Sequence, residues 1–361
     1  MLKKLRHLLS GIVTFCFRLL PVRERVFFYT IRCSGGMLDN LKCVYDALDC
    51  KKIVFAQMLP HSFSQMLRAR YYLLTSRVIV TDDYLRYLRQ VRLHRSQKAV
   101  QLWHAAGAFK RFGLDAPSRL TPQEERQTHD QYTDVIVSSE GVRPFYADAF
   151  GVPVEIVRAL GVPRTDLLLD PKQEEQARAR VFAQYPKLKG KTVYLYAPTF
   201  RETDGEVTAF DPQIDFEALD AALFENEVFV IRRHPVMKEP LLAKPLSHVL
   251  DLSDVPTPDL LFAADVLVTD YSSLIFDAAL LKIPMLFYCP DLGDYERSFY
   301  LKVPQELPGK VLSDSAGLPN AMRRAKDSPN ALSAAFLESQ LSSCDGHSTE
   351  RVAALIQGYL K

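Results

Sequence analysis

The chain has 361 residues, 48% hydrophobic and 24% charged, an ordinary globular composition that excludes a disordered or low-complexity protein. That length is long for one core, so two domains are expected. Lys plus Arg number 45 against 43 Asp plus Glu, a net charge of +2, and no global charge argues for nucleic acid.

The first 25 residues carry Lys3, Lys4 and Arg6, then a largely apolar run from Leu8 to Leu20 interrupted by Arg18. No small-x-small cleavage site follows, and the run is shorter than the ~20 apolar residues that span a bilayer. It is read as an amphipathic helix lying on an inner membrane leaflet or on the protein's own body. Seven basic residues and one acid lie between Met1 and Gly35; ten basic residues and two acids lie between Arg68 and Arg111. A basic amino-terminal half suits an anionic membrane surface or a phosphorylated substrate, although any single charge is more often a solvated one.

Strands are expected at 26–30, 52–56, 77–81, 99–103, 134–138 and 155–157, with helices at 40–48 and about 83–90. A charged helix over about 172–185 and the break Lys187-Leu188-Lys189-Gly190-Lys191 put a boundary near 170–190. A second alternation follows, with strands at 192–196, 228–232, 248–251, 265–269 and 284–288, and 348–360 reads as one amphipathic helix. The βα alternation predicts an α/β protein with parallel sheets. The expected divisions are an amphipathic segment at 1–25, Rossmann-like doubly wound domains at 26–175 and 190–335, and a helical tail at 336–361. Two such domains would place a ligand in a central cleft, at the carboxyl ends of the strands.

Polar residues do follow the predicted strands. His104-Ala105-Ala106-Gly107-Ala108 and Lys110 follow the strand ending at Trp103. Arg164 lies beyond Val157, Pro198, Thr199 and Arg201 beyond Tyr196, and Arg232, Arg233 and His234 beyond Ile231. Asp270, Ser272 and Ser273 follow Thr269, with Asp277 four residues after Ser273. Small residues let amides approach an anion, arginine binds phosphate oxygens bidentately, and imidazole titrates near neutral pH, so His104 and His234 are both catalytic candidates, either of them able to accept a proton from an attacking hydroxyl. Ser272 and Ser273 open a helix whose unpaired amides suit phosphate, or Ser272 simply caps it. The pattern suits transfer from a phosphorylated donor. No GxxxxGK[ST] motif and no metal-ligand spacing is present, the six cysteines read as reduced cytosolic thiols, and no divalent metal is implied.

At these residues the chain resembles the CDP-glycerol glycerophosphotransferase family of teichoic acid primases and polymerases. The matching blocks are Gln101-Leu102-Trp103-His104, Gly161-Val162-Pro163-Arg164-Thr165-Asp166, Ala197-Pro198-Thr199-Phe200-Arg201, His234-Pro235, Thr269-Asp270-Tyr271-Ser272-Ser273 with Asp277, and Phe287-Tyr288 with Asp291 and Tyr295. The resemblance implies a GT-B architecture, with an acceptor-side first domain and a donor-binding second one. It implies cytoplasmic enzymes held peripherally on the membrane. They move glycerol phosphate, or ribitol phosphate in relatives, from a CDP-activated donor to a lipid-linked or glycan hydroxyl, releasing CMP and needing no obligatory cofactor. His104 then resembles the catalytic base, His234 with Arg232 and Arg233 a second essential block, and Arg164, Pro198, Thr199, Ser272, Ser273 and Asp277 donor-binding positions. Two departures stand out: Ala105 replaces a family glycine, where a Cβ would obstruct a positive φ or a close phosphate approach, and Ser298 follows Arg297 in place of another glycine. A nucleotide-sugar glycosyltransferase and a polymer-binding scaffold are the rival readings.

Overall fold

Valine, isoleucine and aromatic runs bounded by turns build two parallel sheets of six strands each. The computed structural model describes residues 11–58, 61–117, 120–203, 206–208, 211–293, 295, 298–327 and 334–361. It divides into one unit of Met1–Asp166 with Ser342–Lys361 and another of Leu167–Leu341.

The first unit holds β1 (Arg23–Thr30), β2 (Lys52–Ala56), β3 (Ser76–Thr81), β4 (Lys98–Gln101), β5 (Asp134–Ile136) and β6 (Val157–Arg158), in the order β2-β1-β3-β4-β5-β6. The chain winds outward in both directions from the β1/β3 pair, so the topological switch lies between those two strands. One face of the sheet buries Val26, Phe28, Val78, Val80 and Val100 against Val352 and Ile356 of the carboxyl-terminal helix Ser348–Leu360. That helix was expected as a tail; in the structure it closes the first unit's core. Gly161 takes φ +85°, and a Cβ there would sit 2.2 Å from the Ser343 carbonyl, so the loop after β6 meets the returning chain at a distance only glycine permits.

The second unit holds β7 (Thr192–Ala197), the hairpin β8 (Arg201–Thr203) and β9 (Glu206–Thr208), then β10 (Glu227–Ile231), β11 (Val249–Asp251), β12 (Val266–Thr269), β13 (Met285–Tyr288) and β14 (Gly309–Leu312). Its main sheet runs β11-β10-β7-β12-β13-β14, a doubly wound order whose switch lies between β7 and β12. The hairpin and β14 were not expected from the sequence.

Three expected elements differ. The helix at 83–90 is only a single 3-10 turn, Arg86–Arg89. Asp83 accepts the Tyr84 amide on its side chain at 2.6 Å, and its carbonyl accepts the Thr81 hydroxyl at 3.1 Å, local bonds that displace the helical pattern. The strand to Trp103 stops at Gln101, because the Gln101 side chain accepts the Trp103 amide at 2.9 Å and Trp103 turns to φ +52°. The strand at 155–157 is a 3-10 turn, Val154–Ile156, followed by the two-residue β6.

Residues 11–18 are helical, while residues 1–10 of the expected membrane segment lie outside the described residues. β1 begins at Arg23, inside that segment, and Arg25 is buried in the fold, donating to the Ser76 hydroxyl at 3.0 Å. Among the described residues no helix is long and apolar enough to cross a membrane.

Candidate active site

At the switch of the first unit, Arg32 lies just past β1 and Asp82 just past β3. The Arg32 guanidinium pairs with Asp82 at 3.3 Å and with Asp39 at 3.1 Å. The Asp82 side chain is 1% exposed. Burial pushes its carboxyl up to about 6, against the opposing pull of the Thr30 hydroxyl and Arg32. The Asp82 carbonyl meets His104 Nδ1 at 3.1 Å. A carbonyl only accepts, so Nδ1 carries the proton and Nε2 the lone pair. Burial pulls the imidazole below its ordinary value; the Asp83 carboxylate pushes it up, and the Arg32 and Arg164 charges add to the downward pull. His104 also stacks on Trp103, with ring centroids 4.2 Å apart.

The loop after β4 is held by two side chains, Gln101, which the sequence showed only as part of a matching block, and Asn40, to which it gave no role. Gln101 donates to the Asp83 carbonyl at 3.0 Å and to the Tyr132 hydroxyl at 2.9 Å while accepting the Trp103 amide. Asn40 is fully buried; it donates to the Trp103 carbonyl at 2.9 Å and accepts the Arg164 amide at 3.0 Å. One asparagine therefore ties the histidine loop to the arginine loop.

The stretch from Ala105 to Ala108 is a packed turn. Ala106 and Ala108 are buried, and the Gly107 amide donates to the Ser138 hydroxyl at 3.0 Å. The left-handed positions are Trp103 and Gly107, with Gly107 at φ +64°. Ala105 is not among them, so its Cβ obstructs no positive φ, contrary to the expectation from the family glycine. Lys110 is half-buried.

At the switch of the second unit, Asp270 ends β12 beside the end of β7. Its Oδ1 accepts the Thr199 amide and hydroxyl, both at 2.9 Å, and the Tyr271 amide at 2.7 Å. Its Oδ2 pairs with Arg201 at 2.9 Å. Arg201 also pairs with Asp291 and lies over the Tyr271 and Tyr295 rings, 5.2 and 5.4 Å from their centroids. Asp270 and Arg201 thus hold the loops in shape. Pro198 precedes Thr199 in the same loop.

Beyond β10, Arg233 pairs with Asp251 at 2.9 Å and donates to the Met237 carbonyl at 2.9 Å, clamping the following loop. Arg232 donates to the Val255 carbonyl at 3.0 Å; burial and the adjacent Arg233 charge pull its guanidinium below the ordinary value. His234 Nδ1 accepts the Val236 amide at 3.3 Å, and its ring lies 4.7 Å from that of Phe200, which brings the histidine loop beside the Pro198–Arg201 loop. Ser272 accepts the Leu274 amide at 3.2 Å just ahead of the helix Leu274–Leu280, whose N-cap is Ser273. Ser273 is exposed and Asp277 is buried on that helix.

The first unit thus gathers His104, Arg164, Arg32 and Asp82, and the second gathers Thr199, Arg201, Asp270 and His234. Asn40, Asp82 and the Asp291 partner of Arg201 are the structural additions. Asp291 was visible as a matching block but not as an arginine partner, and a lone buried asparagine carries no sequence signal. Arg297 lies outside the described residues.

Polar strand ends on two doubly wound sheets, one of them carrying a histidine bonded to a main-chain carbonyl, define an α/β protein with candidate site residues in each unit. Residues 20–358 match the model of the CDP-glycerol:poly(glycerophosphate) glycerophosphotransferase family, and the chain belongs to that family. It is 34% identical to a teichoic acid ribitol-phosphate primase of Bacillus spizizenii, over 95% of this chain and 93% of the relative. It is 33% identical to the teichoic acid poly(ribitol-phosphate) polymerase of the same organism, covering 93% of this chain but 56% of that protein, so it spans about half of that relative's length. A variant of the wall teichoic acid polymerase TagF soaked with CDPG shares the fold, with a TM-score of 0.79 at 20% identity over 100% of this chain and 98% of the other.

Proposed function

We propose that the chain transfers a polyol phosphate from a CDP-activated donor to a hydroxyl of a lipid-linked or glycan acceptor, releasing CMP in teichoic-acid-like or capsule polymer synthesis. The observation that carries this reading is the bond from His104 Nδ1 to the Asp82 carbonyl, which leaves Nε2 as the proton acceptor on an imidazole kept in its base form. Nε2 takes the proton of the acceptor hydroxyl. The freed oxygen bonds to the polyol-side phosphorus, and the bond from that phosphorus to the bridging oxygen breaks. CMP leaves with that electron pair.

Arg164, Arg232 and His234 are read as donor-binding groups, together with the Thr199 and Ser272-Ser273 loops. Arg201, Arg233 and Asp270 act by holding those loops, through the pairs they make. Charge on the donor and on CMP falls to guanidinium, imidazole and amide groups, so this reading needs no obligatory divalent metal. The two units are read as the halves of a GT-B enzyme that works at the cytoplasmic face of a membrane, held peripherally by the amino-terminal segment.

Glycerol phosphate is the first reading of the transferred group. Ribitol phosphate is the second, supported by the names of the Bacillus spizizenii relatives matched at 33% and 34% identity, while a glycerol-phosphate primase of the same organism matches at 30%. Incubation with CDP-glycerol, CDP-ribitol and UDP-sugars beside a lipid-linked acceptor, with the released nucleotide followed, decides the donor. CMP release from one CDP-polyol is expected. Release of UDP alone would replace the reading with a glycosyltransferase.

A further inference from the structure

The first unit contains a cavity of about 560 Å3 that the phosphotransfer reading does not use. Its lining comes from the helix over residues 11–18, the helix Phe63–Thr75 and the chain around the turn Arg86–Arg89. The volume falls in the ordinary range of small-ligand sites.

Two kinds of side chain meet there. Arg18, Arg70, Arg89 and Arg92 all line it. Glu124 pairs with Arg89 at 3.4 Å and Asp130 with Arg92 at 2.7 Å. Arg70, mostly buried, reaches the Thr14 hydroxyl at 3.3 Å and the Gln90 side chain. Four guanidinium groups around one cavity are the chemistry that binds phosphate oxygens. The other lining is apolar: Phe15, Leu74 and Val91.

The amino-terminal helix is docked by its opposite side. Phe17 packs edge-on against Tyr71 at 5.4 Å, and Thr14 bonds to Arg70. Three apolar side chains point outward, Ile12 at 53% exposed, Phe15 at 64% and Leu19 at 71%, beside the exposed Arg18. Their spacing of three and four residues puts them on one side of the segment. Phe15 belongs both to that face and to the cavity lining, so the apolar face and the arginine cavity are continuous.

We propose that this cavity seats the phosphate headgroup of an anionic membrane lipid while the face of Ile12, Phe15 and Leu19 lies in the bilayer interface. The inference rests on the membrane contact proposed above and deepens it, from adhesion of a basic segment to recognition of a headgroup.

The test uses the full chain in two binding measurements. One is co-sedimentation with vesicles of phosphatidylcholine alone or mixed with phosphatidylglycerol. The other is calorimetric titration with dihexanoyl phosphatidic acid below its micellar concentration, with inorganic phosphate as the competing source. Binding to the anionic vesicles and to the short-chain lipid is expected, with inorganic phosphate much weaker. Each of Arg18→Gln and Arg92→Gln is expected to lower vesicle affinity by about fivefold. Gly11→Trp keeps every charge, and a Cβ on Gly11 meets no atom within 4 Å. Since Gly11 lines the cavity, that variant is expected to lose the short-chain lipid, with an unchanged melting temperature confirming its fold. Retained lipid binding by Gly11→Trp overturns the cavity and leaves the membrane contact standing. Failure of the wild type to bind any vesicle overturns both. Inorganic phosphate binding as tightly as the short-chain lipid overturns the lipid as occupant. CMP release plays no part in either measurement, so the phosphotransfer reading is judged separately.

Discussion

His104 Nδ1 donates to the main-chain carbonyl of Asp82 at 3.1 Å, so the imidazole takes its orientation and tautomer from backbone rather than from a carboxylate. Burial is the largest influence on the proton affinity of the ring and lowers it, Arg32 and Arg164 lower it further, and Asp83 and the bond to the Asp82 carbonyl raise it.

Removing the base tests this directly. His104→Ala is expected to lower turnover by about 10²–10⁴-fold while donor affinity holds. The base must be neutral, and its pKa lies below the ordinary value of about 6.5. In the wild type, kcat/KM should therefore rise with pH through a point below that value and be flat at neutrality. Arg32→Gln removes a cation that lowers the pKa, so the rising limb should move to higher pH. A pH–rate profile of both proteins checks the direction; an unmoved limb would dismiss His104 as the titrating base.

Asp82 gives a stability prediction of opposite sense to most carboxylates. Its folded pKa is raised from 3.8 to about 6. The folded state therefore holds a proton that the unfolded state has already lost, and stability should fall as pH rises between about 4 and 6. The contribution is on the order of 2–3 kcal/mol. Asp82→Asn should flatten that slope in urea unfolding series across this range.

Asn40→Ala removes the donor to Trp103 and the acceptor for Arg164 together. Two buried backbone groups lose their partner, at about 1–3 kcal/mol each. Asn40→Asp retains an acceptor for the Arg164 amide but cannot donate to the Trp103 carbonyl. Thermal melts should rank wild type above both variants, and steady-state kinetics should show a larger loss in kcat than in stability if the two loops act together.

Asp270→Asn breaks a pair whose members are 2% and 14% exposed. An uncompensated guanidinium there should cost about 3–5 kcal/mol. Asp291 still holds Arg201, which places the expected loss at the low end of that range. Equilibrium unfolding measures it; a loss below about 1 kcal/mol would show that Asp270 is not the tie between the ends of β7 and β12.

Much of this was legible in the residues. The strand ends at Thr81, Ala197, Ile231 and Thr269 were located to within a residue or two, because buried parallel strands are written as continuous apolar runs. His104 was singled out as a candidate by its place after such a strand. The roles of Arg201 and Arg233 were not legible: both were read as phosphate binders, and both are paired with carboxylates, at Asp270 and Asp291 for one and Asp251 for the other. A guanidinium attracts either partner equally well, and only position in space says which lies near. Ala105 is the converse case, since its φ depends on where the turn is tightest, and that falls at Trp103 and Gly107.

The sequence by itself determined the α/β class, most strand positions and the family, because hydrophobic period and local motifs are properties of neighbouring residues. Tertiary structure alone decided the strand order, and with it the pairing of Arg32 with Asp82 at one switch and of Thr199 with Asp270 at the other. It also decided that buried Asn40 joins two loops and that the last helix completes the first unit's core. Those contacts link residues tens to hundreds of positions apart, and their energies depend on burial, which no local pattern encodes.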